Sequence, residues 1–282
     1  MSVSKRKKQD ILPDEIKANL YDKIELIVDF HGITWLEVEK VQEKIKGILS
    51  PDIYGRCEEE FKEQELRDYK ERHPISEASL RRYKNTETVI RYYSKDETEI
   101  VTISKLFLGI TLNYEVAHKL QENISLITKI VKIFAEEEYF EIEDVYLIKR
   151  DSIYCQSLYR LYQCYEKEMF ADASYLLQKS MKGIASGSTS ICNRLKYQDY
   201  DISIVKSVVK GYTSSDEEIY EGKMDTIVSY EVIGEEINIK ETLMELNNIS
   251  YKIFMSHITN NFANELLLGK TNKVKNGVNL NE

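Results

Sequence analysis

Two polar residues at the end of a hydrophobic run form an acid–base candidate. Asp29 and His31 are separated by one residue, so on a β-strand their side chains point to the same face. A carboxylate beside an imidazole can orient the ring for general acid–base catalysis. The simpler interpretation, a strand end that carries polar side chains into solvent, is favoured over a catalytic pair.

A second histidine has acidic neighbours at helical spacing. His118 lies between Glu115 and Glu122, so the three side chains can share one helix face. Surface electrostatics explain such a cluster more simply than a site does. Together with Asp29 and His31, His118 defines one alternative function, a hydrolase or nuclease-like effector with a site assembled from scattered residues.

Tyrosine is unusually abundant, with 20 residues in the chain. Tyr159, Tyr162 and Tyr165 recur every third residue in a predicted helix, and Arg160 lies between them. Stacked aromatic rings with an arginine can bind bases or aromatic ligands. Packing of an amphipathic helix on a sheet explains the stripe more simply. The stripe nevertheless supplies the candidate ligand-binding residues of a second alternative function, a sensor of nucleotides or aromatic ligands.

Motifs for metals, cofactors and nucleotides are missing from the sequence. It contains no phosphate-binding glycine loop and no calcium-type acidic repeat. The acidic run Glu136–Glu138, with Glu141, Glu143 and Asp144 beyond it, is interpreted as solvated charge at a helix end. The four cysteines form no metal-binding pair and are expected to be free thiols. We therefore expect no metal, no cofactor and no enzymatic activity.

Charge and hydropathy restrict the partners. The net charge of −9 disfavours binding to a phosphate backbone, so nucleic acid is an unlikely partner. Runs of apolar residues are too short to span a bilayer, and the basic residues near Met1 are followed by polar ones rather than by a signal sequence. We expect a cytoplasmic chain without a membrane partner.

The first half of the chain predicts alternating strands and helices. A half-buried strand is predicted over Ile24–Phe30, where alternate residues are apolar. Thr34 and Glu37 predict a capping box that opens an amphipathic helix. The charged residues 56–72 predict a solvent-exposed helix or a mobile excursion. Three strands are then predicted over 87–93, 97–104 and 106–112, before a long helix from Asn113 to about Glu136.

The second half predicts the same order of elements. A long strand over Phe140–Tyr154 precedes a short helix over Ser157–Met169. A closing helix begins after Asn238 and reaches about Leu268. The strands between these helices are predicted over 189–197, 202–210 and 223–232.

These elements predict an α+β fold with two pseudo-repeated halves, each containing a strand, a helix, antiparallel strands and a long helix. The expected organisation is a basic disordered arm over 1–10, an N-terminal half over 11–138, a C-terminal half over 139–270 and a disordered tail over 271–282. In each half, the long helix covers one face of the sheet and leaves the other available for binding.

Three segments resemble a sporadically distributed family of uncharacterised bacterial proteins. They are Val145–Arg150, Lys223–Val228 and the closing helix Leu246–Phe262, in which Phe254 precedes His257-Ile258-Thr259. The chain departs from the family pattern at Lys149-Arg150-Asp151. The sheet-plus-helix units of such proteins are similar to the SecB export chaperone, and this resemblance implies binding of protein segments in apolar grooves. It implies no catalytic residues.

The leading hypothesis is therefore a non-enzymatic module that binds another protein or a peptide in a bacterial cell. A chaperone-like role, or a role in phage defence or toxin neutralisation, would fit this hypothesis. The sequence leaves open whether the chain forms a homo-oligomer.

Overall fold

The computed structural model describes seven segments of the chain: residues 6–18, 21–61, 88–113, 119–166, 187–212, 218–234 and 237–269. They belong to two compact units. The first unit takes its residues from the ranges Met1–Ile24, Leu147–Tyr230 and Leu243–Glu282, and the second takes them from Glu25–Tyr146 and Glu231–Thr242. Helices and antiparallel strands confirm the α+β class, whereas the repetition of the two halves stays a prediction.

The second unit is built on a sheet whose strands follow the order β2-β3-β4-β5-β1-β6. The three pairs from β2 to β5 are antiparallel. This arrangement confirms the three predicted consecutive strands. The strands are β1 (Tyr21–His31), β2 (Tyr54–Phe61), β3 (Thr88–Ser94), β4 (Glu99–Ile103), β5 (Phe107–Asn113) and the beginning of β6 (Glu141–Cys155).

Two helices of the second unit pack on each other, and one of them packs on the sheet. Helix α1 (Trp35–Ile48) begins at Thr34, whose hydroxyl accepts a hydrogen bond from the Glu37 amide, as the capping box predicts. Helix α2 (Leu120–Phe134) contacts both α1 and β5. Its buried stripe follows the predicted spacing: Leu120, Ile124, Ile127, Val131 and Phe134.

An aromatic cluster joins β1, α2 and the chain that leads into β6. The ring centroids of Phe30 and Phe134 are 5.1 Å apart, and those of Phe30 and Phe140 are 5.0 Å apart. Phe30 and Phe134 are almost completely buried. Burial of a large apolar side chain of this kind contributes roughly 1.5–3 kcal/mol, so the cluster anchors the end of β1 firmly.

The first unit contains a second group of strands, in which the end of β6 is followed by β9, β8 and β7. The strands are β7 (Gly187–Tyr197), β8 (Tyr200–Tyr212) and β9 (Glu218–Glu231). Both β7–β8 and β8–β9 are antiparallel. Along β9, burial alternates with a period of two, because only one face of this strand is covered.

The described residues of the first unit also contain the α-helices α3 (Leu158–Cys164), α4 (Ile239–His257, of which the part from Leu243 belongs here) and α5 (Asn260–Leu267). The single closing helix predicted from Asn238 to Leu268 is wrong, because the helix is interrupted after His257. The Thr259 amide donates to the Cys164 carbonyl at 2.8 Å, and the Thr259 hydroxyl accepts from the Phe262 amide and so caps α5. The short helix α3 ends five residues before the predicted Met169.

Two predictions differ from the structure. Strand β1 is not half-buried: every residue from Ile24 to Phe30 is buried, so both faces of the strand are covered. Residues 56–61 of the charged stretch form part of β2 rather than a helix, since the backbone hydrogen bonds to β3 replace helical ones. Arg56 contacts Glu97 at 2.9 Å and lies over the Tyr93 ring. Residues 62–72 are outside the described segments.

The predicted basic arm is not disordered over residues 6–10. Lys8–Asp10 form a short 3-10 helix, and the Lys8 ammonium donates to the carbonyl oxygens of Ser256 at 3.1 Å and Ile258 at 2.6 Å. It also contacts the Glu166 carboxylate at 2.8 Å. A cation at the carbonyl end of a helix is favourable, so Lys8 holds this segment against the end of α4. Residues 1–5 and 271–282 lie outside the described part of the chain.

Within the described residues, no helix is both long enough and apolar enough to cross a membrane.

Replacing Lys8 with methionine should release residues 6–10 and lower the free energy of unfolding by about 1–2 kcal/mol, because the ammonium makes three charge-assisted contacts at a partly exposed site. Urea denaturation measures the loss, and amide hydrogen exchange over 6–11 should accelerate. Lys7→Met is the matched control, since Lys7 is exposed. Equal effects of the two substitutions would contradict the anchoring role.

Candidate functional site

The second unit contains a cleft of about 1070 Å³ where β1 ends and β6 begins. The apolar residues that line it are called the floor: Val131, Ala135, Phe140, Ile142, Val232, Ile237 and Ile239. The polar residues that line it, most of them exposed, are called the rim: His31, Thr128, Lys132, Glu141, Glu143, Asp144, Glu231 and Asn238. The lining therefore combines apolar side chains with charged ones.

His31 is the most constrained side chain of the rim. Its Nε2 lies 3.0 Å from Glu141 Oε2, and its Nδ1 lies 3.1 Å from Glu143 Oε1. Glu141 and Glu143 are two apart on β6 and therefore share one face of the strand. The two contacts hold the His31 ring between two carboxylates, one at each ring nitrogen.

A glycine immediately after His31 allows this arrangement. Gly32 has a φ of +84°, which residues with a side chain rarely adopt. A Cβ atom at this position would lie 1.5 Å from the Tyr139 carbonyl oxygen. The chain after β1 therefore passes directly against the chain before β6. This close approach brings His31 within reach of Glu141 and Glu143.

The rim is predominantly negative. Glu141, Glu143, Asp144 and Glu231 supply four carboxylates, whereas Lys132 supplies an ammonium group and His31 an imidazole. The Glu141 side chain is 71% exposed and that of Glu143 is 47% exposed, so both remain accessible to a ligand. A cationic ligand that also has an apolar part matches this lining.

Asp29 and His31, the predicted acid–base pair, lie in different environments. Asp29 is 2% exposed and lies inside the sheet, whereas the His31 side chain is 50% exposed at the cleft. The His31 imidazole contacts the carboxylates of Glu141 and Glu143. From the sequence, Glu141 and Glu143 were interpreted as solvated charge. They are two residues apart on a predicted strand, and this spacing could have placed their side chains on one face.

The three tyrosines of the predicted stripe do not continue along one helix, because α3 ends before Tyr165. Tyr159 is 73% exposed, while Tyr165 is completely buried and packs against Phe262 at a centroid distance of 6.2 Å. The helix ends at Cys164, so Tyr165 has an extended backbone and does not continue the helical spacing. Arg160 forms an ion pair with Glu265 at 2.7 Å. The structure therefore does not place Tyr159 and Tyr165 on one surface.

The described part of the cleft offers limited means for catalysis. The hydroxyl group that lines it belongs to Thr128, and this group donates to the Ile124 carbonyl at 2.7 Å. Among the described residues, no group of three or more His, Cys, Asp and Glu side chains is arranged to hold a metal ion. The two ring nitrogens of His31 face different carboxylates, so they cannot converge on one ion. His118 lies outside the described segments.

A buried polar cluster in the first unit surrounds Lys149, which is 3% exposed. Its ammonium donates to Asn247 Oδ1 at 2.6 Å and to the Tyr21 hydroxyl at 3.4 Å. Burial lowers the pKa of Lys149 to about 8, and the nearby Asp151 carboxylate opposes this shift. Burial also raises the pKa of Tyr21. An amine with a lowered pKa is suited to nucleophilic chemistry, but this buried amine is used in internal hydrogen bonds.

Comparison of the chain with models of known protein families found no match, and comparison with curated proteins found none either.

Replacing Gly32 with alanine should lower the free energy of unfolding by about 3 kcal/mol, because the new methyl group meets a backbone carbonyl and the residue must keep a positive φ. Thermal and urea denaturation measure this loss. Gly234→Ala isolates the effect of a positive φ, because no atom lies within 4 Å of the Cβ position at residue 234. This substitution should lower the free energy of unfolding by about 1–2 kcal/mol. Gly47→Ala, in helix α1, should be neutral or stabilising. A Gly32 variant as stable as the Gly47 variant would contradict the close approach.

The stability of the protein should rise by roughly 2 kcal/mol between pH 8 and pH 10, because of Lys149. Its folded pKa of about 8 lies below the ordinary 10.5, so the unfolded chain binds more protons in this window and loses them as the pH rises. Urea denaturation at the two pH values should show the rise in the wild type and its absence in Lys149→Met. Lys196→Met is the exposed control and should retain the rise. Equal pH dependence in wild type and Lys149→Met would contradict the assignment.

Proposed function

We propose that the chain is a non-enzymatic module that binds a basic, partly apolar segment of another protein in the cleft of the second unit. The observation that carries the proposal is the lining of the cleft, which contains both apolar side chains and several carboxylates. Such a lining complements lysine and arginine side chains. Their aliphatic stems pack on apolar surface while their charged ends remain at the opening.

The size of the cleft supports a peptide as the ligand. Sites for a single small molecule are about 300–1,000 Å³. At about 1070 Å³, the cleft lies at the upper limit of that range and has room for several neighbouring side chains. Its apolar lining, which includes Phe140, Ile142 and Val232, supplies the hydrophobic contribution to binding. The rim carboxylates then supply the selectivity for positive charge.

Long-range electrostatics act in the same direction. The chain has a net charge of −9, which attracts basic partners and repels acidic ones before contact. Within the cleft, Glu141 and Glu143 orient His31 and keep their remaining carboxylate oxygen available.

The hydrolase or nuclease-like alternative has less support. It requires Asp29 and His31 to act together, but Asp29 is buried while His31 is fixed by two other carboxylates. The ligand-sensor alternative requires Tyr159, Tyr162 and Tyr165 to form one surface, and Tyr165 is buried. Neither alternative explains why apolar side chains and carboxylates line the same cleft.

The cellular setting is part of the proposal. Resemblance to SecB-like sheet-plus-helix units favours a chaperone-like role in the bacterial cytoplasm, with phage defence or toxin neutralisation as other settings. A basic client segment is compatible with each of these. The lining of the cleft therefore suggests one class of ligand, whereas the resemblance leaves several cellular roles open.

A labelled peptide in which lysines alternate with leucines should bind the purified chain, and its counterpart with glutamate in place of lysine should not. Fluorescence anisotropy measures both. The double substitution Glu141→Gln and Glu231→Gln should weaken binding about tenfold at low salt, since each exposed charge contact contributes up to about 1 kcal/mol. The effect should diminish as salt is added.

The matched control is the double substitution Glu39→Gln and Glu122→Gln, which changes the net charge equally on exposed helix positions of the same unit. This control should retain almost all of the affinity. Equal weakening in both double variants would show that net charge alone attracts the peptide and would reject the cleft. A peptide in which serine replaces leucine tests the floor, and should bind more weakly than the leucine peptide to the wild type.

A further inference from the structure

Strand β7 is the outermost strand of the first unit. Its residues Gly187–Tyr197 pair with β8 along their whole length, and no other strand of the described residues pairs with β7. One row of its backbone N–H and C=O groups therefore has no partner strand in the described part of the chain. With 11 residues, β7 is longer than most strands, and a long open edge is a site where another chain can add a strand.

Burial on one face of this sheet stops between β8 and β7. Tyr200 and Ile202 of β8 are 8% and 6% exposed, and their partners on β7 are Tyr197 and Leu195. Residues directly opposite each other in an antiparallel pair lie on the same face. Tyr197 and Leu195 are nevertheless 53% and 54% exposed. The apolar face of the sheet therefore continues onto β7, where the described residues do not cover it.

The charges of β7 are distributed unevenly along the strand. Its two cations, Arg194 and Lys196, lie in the C-terminal half, and the strand contains no carboxylate. Ser188 and Ser190 in the N-terminal half are exposed. The whole chain has a net charge of −9, so β7 is a segment where two copies can approach without bringing the carboxylates of that segment together.

We propose that β7 pairs with β7 of a second copy of the chain, antiparallel about a two-fold axis at Cys192, and that this pairing forms a homodimer. Cys192 is the midpoint of β7, so all 11 residues of each strand are paired in this register. Arg194 then faces Ser190 of the second copy, and Lys196 faces its Ser188. Because the interface is two-fold symmetric, each of these contacts occurs twice.

Charge selects this arrangement over other pairings of the same strand. Parallel pairing in register places Arg194 beside Arg194 and Lys196 beside Lys196, and like charges directly opposite each other are destabilising. Antiparallel pairing centred at residue 194, 195 or 196 also brings cations opposite each other. Centring at Cys192 keeps all the cations apart and pairs the greatest length of backbone.

The same register covers the exposed apolar residues of β7. Tyr197 faces Gly187 of the second copy, and an aromatic side chain opposite a glycine covers backbone that would otherwise be exposed. Leu195 gains a neighbouring strand on its open side. The apolar face that ends at β7 in one copy therefore continues into the second copy. The inference is independent of the proposed peptide binding, because the cleft belongs to the second unit.

An acidic strand of another protein is the competing occupant of this edge, because its carboxylates would face Arg194 and Lys196. The second copy is favoured for two reasons. Lys196 already contacts a carboxylate, that of Asp201, at 3.5 Å. In addition, the strand is self-complementary in the antiparallel register, with its cations opposite serines and Tyr197 opposite a glycine.

The test compares charge substitutions at position 190 in the full-length chain, by sedimentation equilibrium under reducing conditions. The wild type should show a reversible equilibrium between monomer and dimer. Ser190→Arg places an arginine opposite Arg194 of the second copy and should raise the dimer dissociation constant about tenfold. Ser190→Glu places a carboxylate there and should lower this constant. Combining Ser190→Arg with Arg194→Glu exchanges the charges and should restore the dimer.

Gln121→Arg and Gln121→Glu are the matched controls, since Gln121 is exposed on α2 and the net charge changes equally. They should leave the dissociation constant unchanged. A short bismaleimide should link Cys192 of one copy to Cys192 of the other in the Cys57→Ser variant, and peptide mapping identifies the link. The Cys57→Ser/Cys192→Ser variant should not be linked.

Two results would overturn the proposal. One is a monomer at every concentration reached, which leaves the edge to a different protein. The other is a dimer whose dissociation constant does not respond to Ser190→Arg or Ser190→Glu, which places the interface elsewhere. Circular dichroism establishes that each variant is folded. If Ser190→Arg unfolds, Ser190→Glu and the Cys192 cross-link decide the question, and a dimer that shows neither tighter association nor the link rejects the β7 interface.

Discussion

At the end of β1, the chain passes so close to the Tyr139 carbonyl that only a hydrogen atom fits on the Gly32 α-carbon. This backbone contact determines the geometry of the candidate site. It brings His31 to the carboxylates of Glu141 and Glu143. Phe30, the residue before His31, packs against Phe140, the residue after Tyr139. A side chain at position 32 would separate the two segments and disturb both the charged rim and the aromatic cluster.

The proposed binding cleft draws on residues that the fold also uses for packing. Val131, for example, belongs to the buried stripe of α2 and also lines the cleft. The charged lining residues include His31 at the end of β1 and Glu141 and Glu143 at the beginning of β6. Each ring nitrogen of His31 faces one of these two carboxylates.

The candidate sites were predictable only in part. His31 was identified from its position at a strand end, but the partner expected there, Asp29, is buried within the sheet. Glu141 and Glu143 were visible as an acidic run, and nothing in their local spacing indicates that a distant histidine lies between them. The prediction that Tyr159, Tyr162 and Tyr165 form a stripe required the helix to continue beyond Cys164, where it ends.

Local chemistry in the sequence determined most elements of this protein. Period-two and helical patterns specified the strands from β3 to β9 and the buried stripe of α2, and Thr34 with Glu37 specified where α1 begins. Tertiary structure decided which strands are covered on both faces, why Arg56–Phe61 pairs with β3, and where the closing helix breaks at Thr259. It also decided which charges meet. These features depend on contacts between residues far apart in the chain, whereas propensity and spacing describe only neighbours.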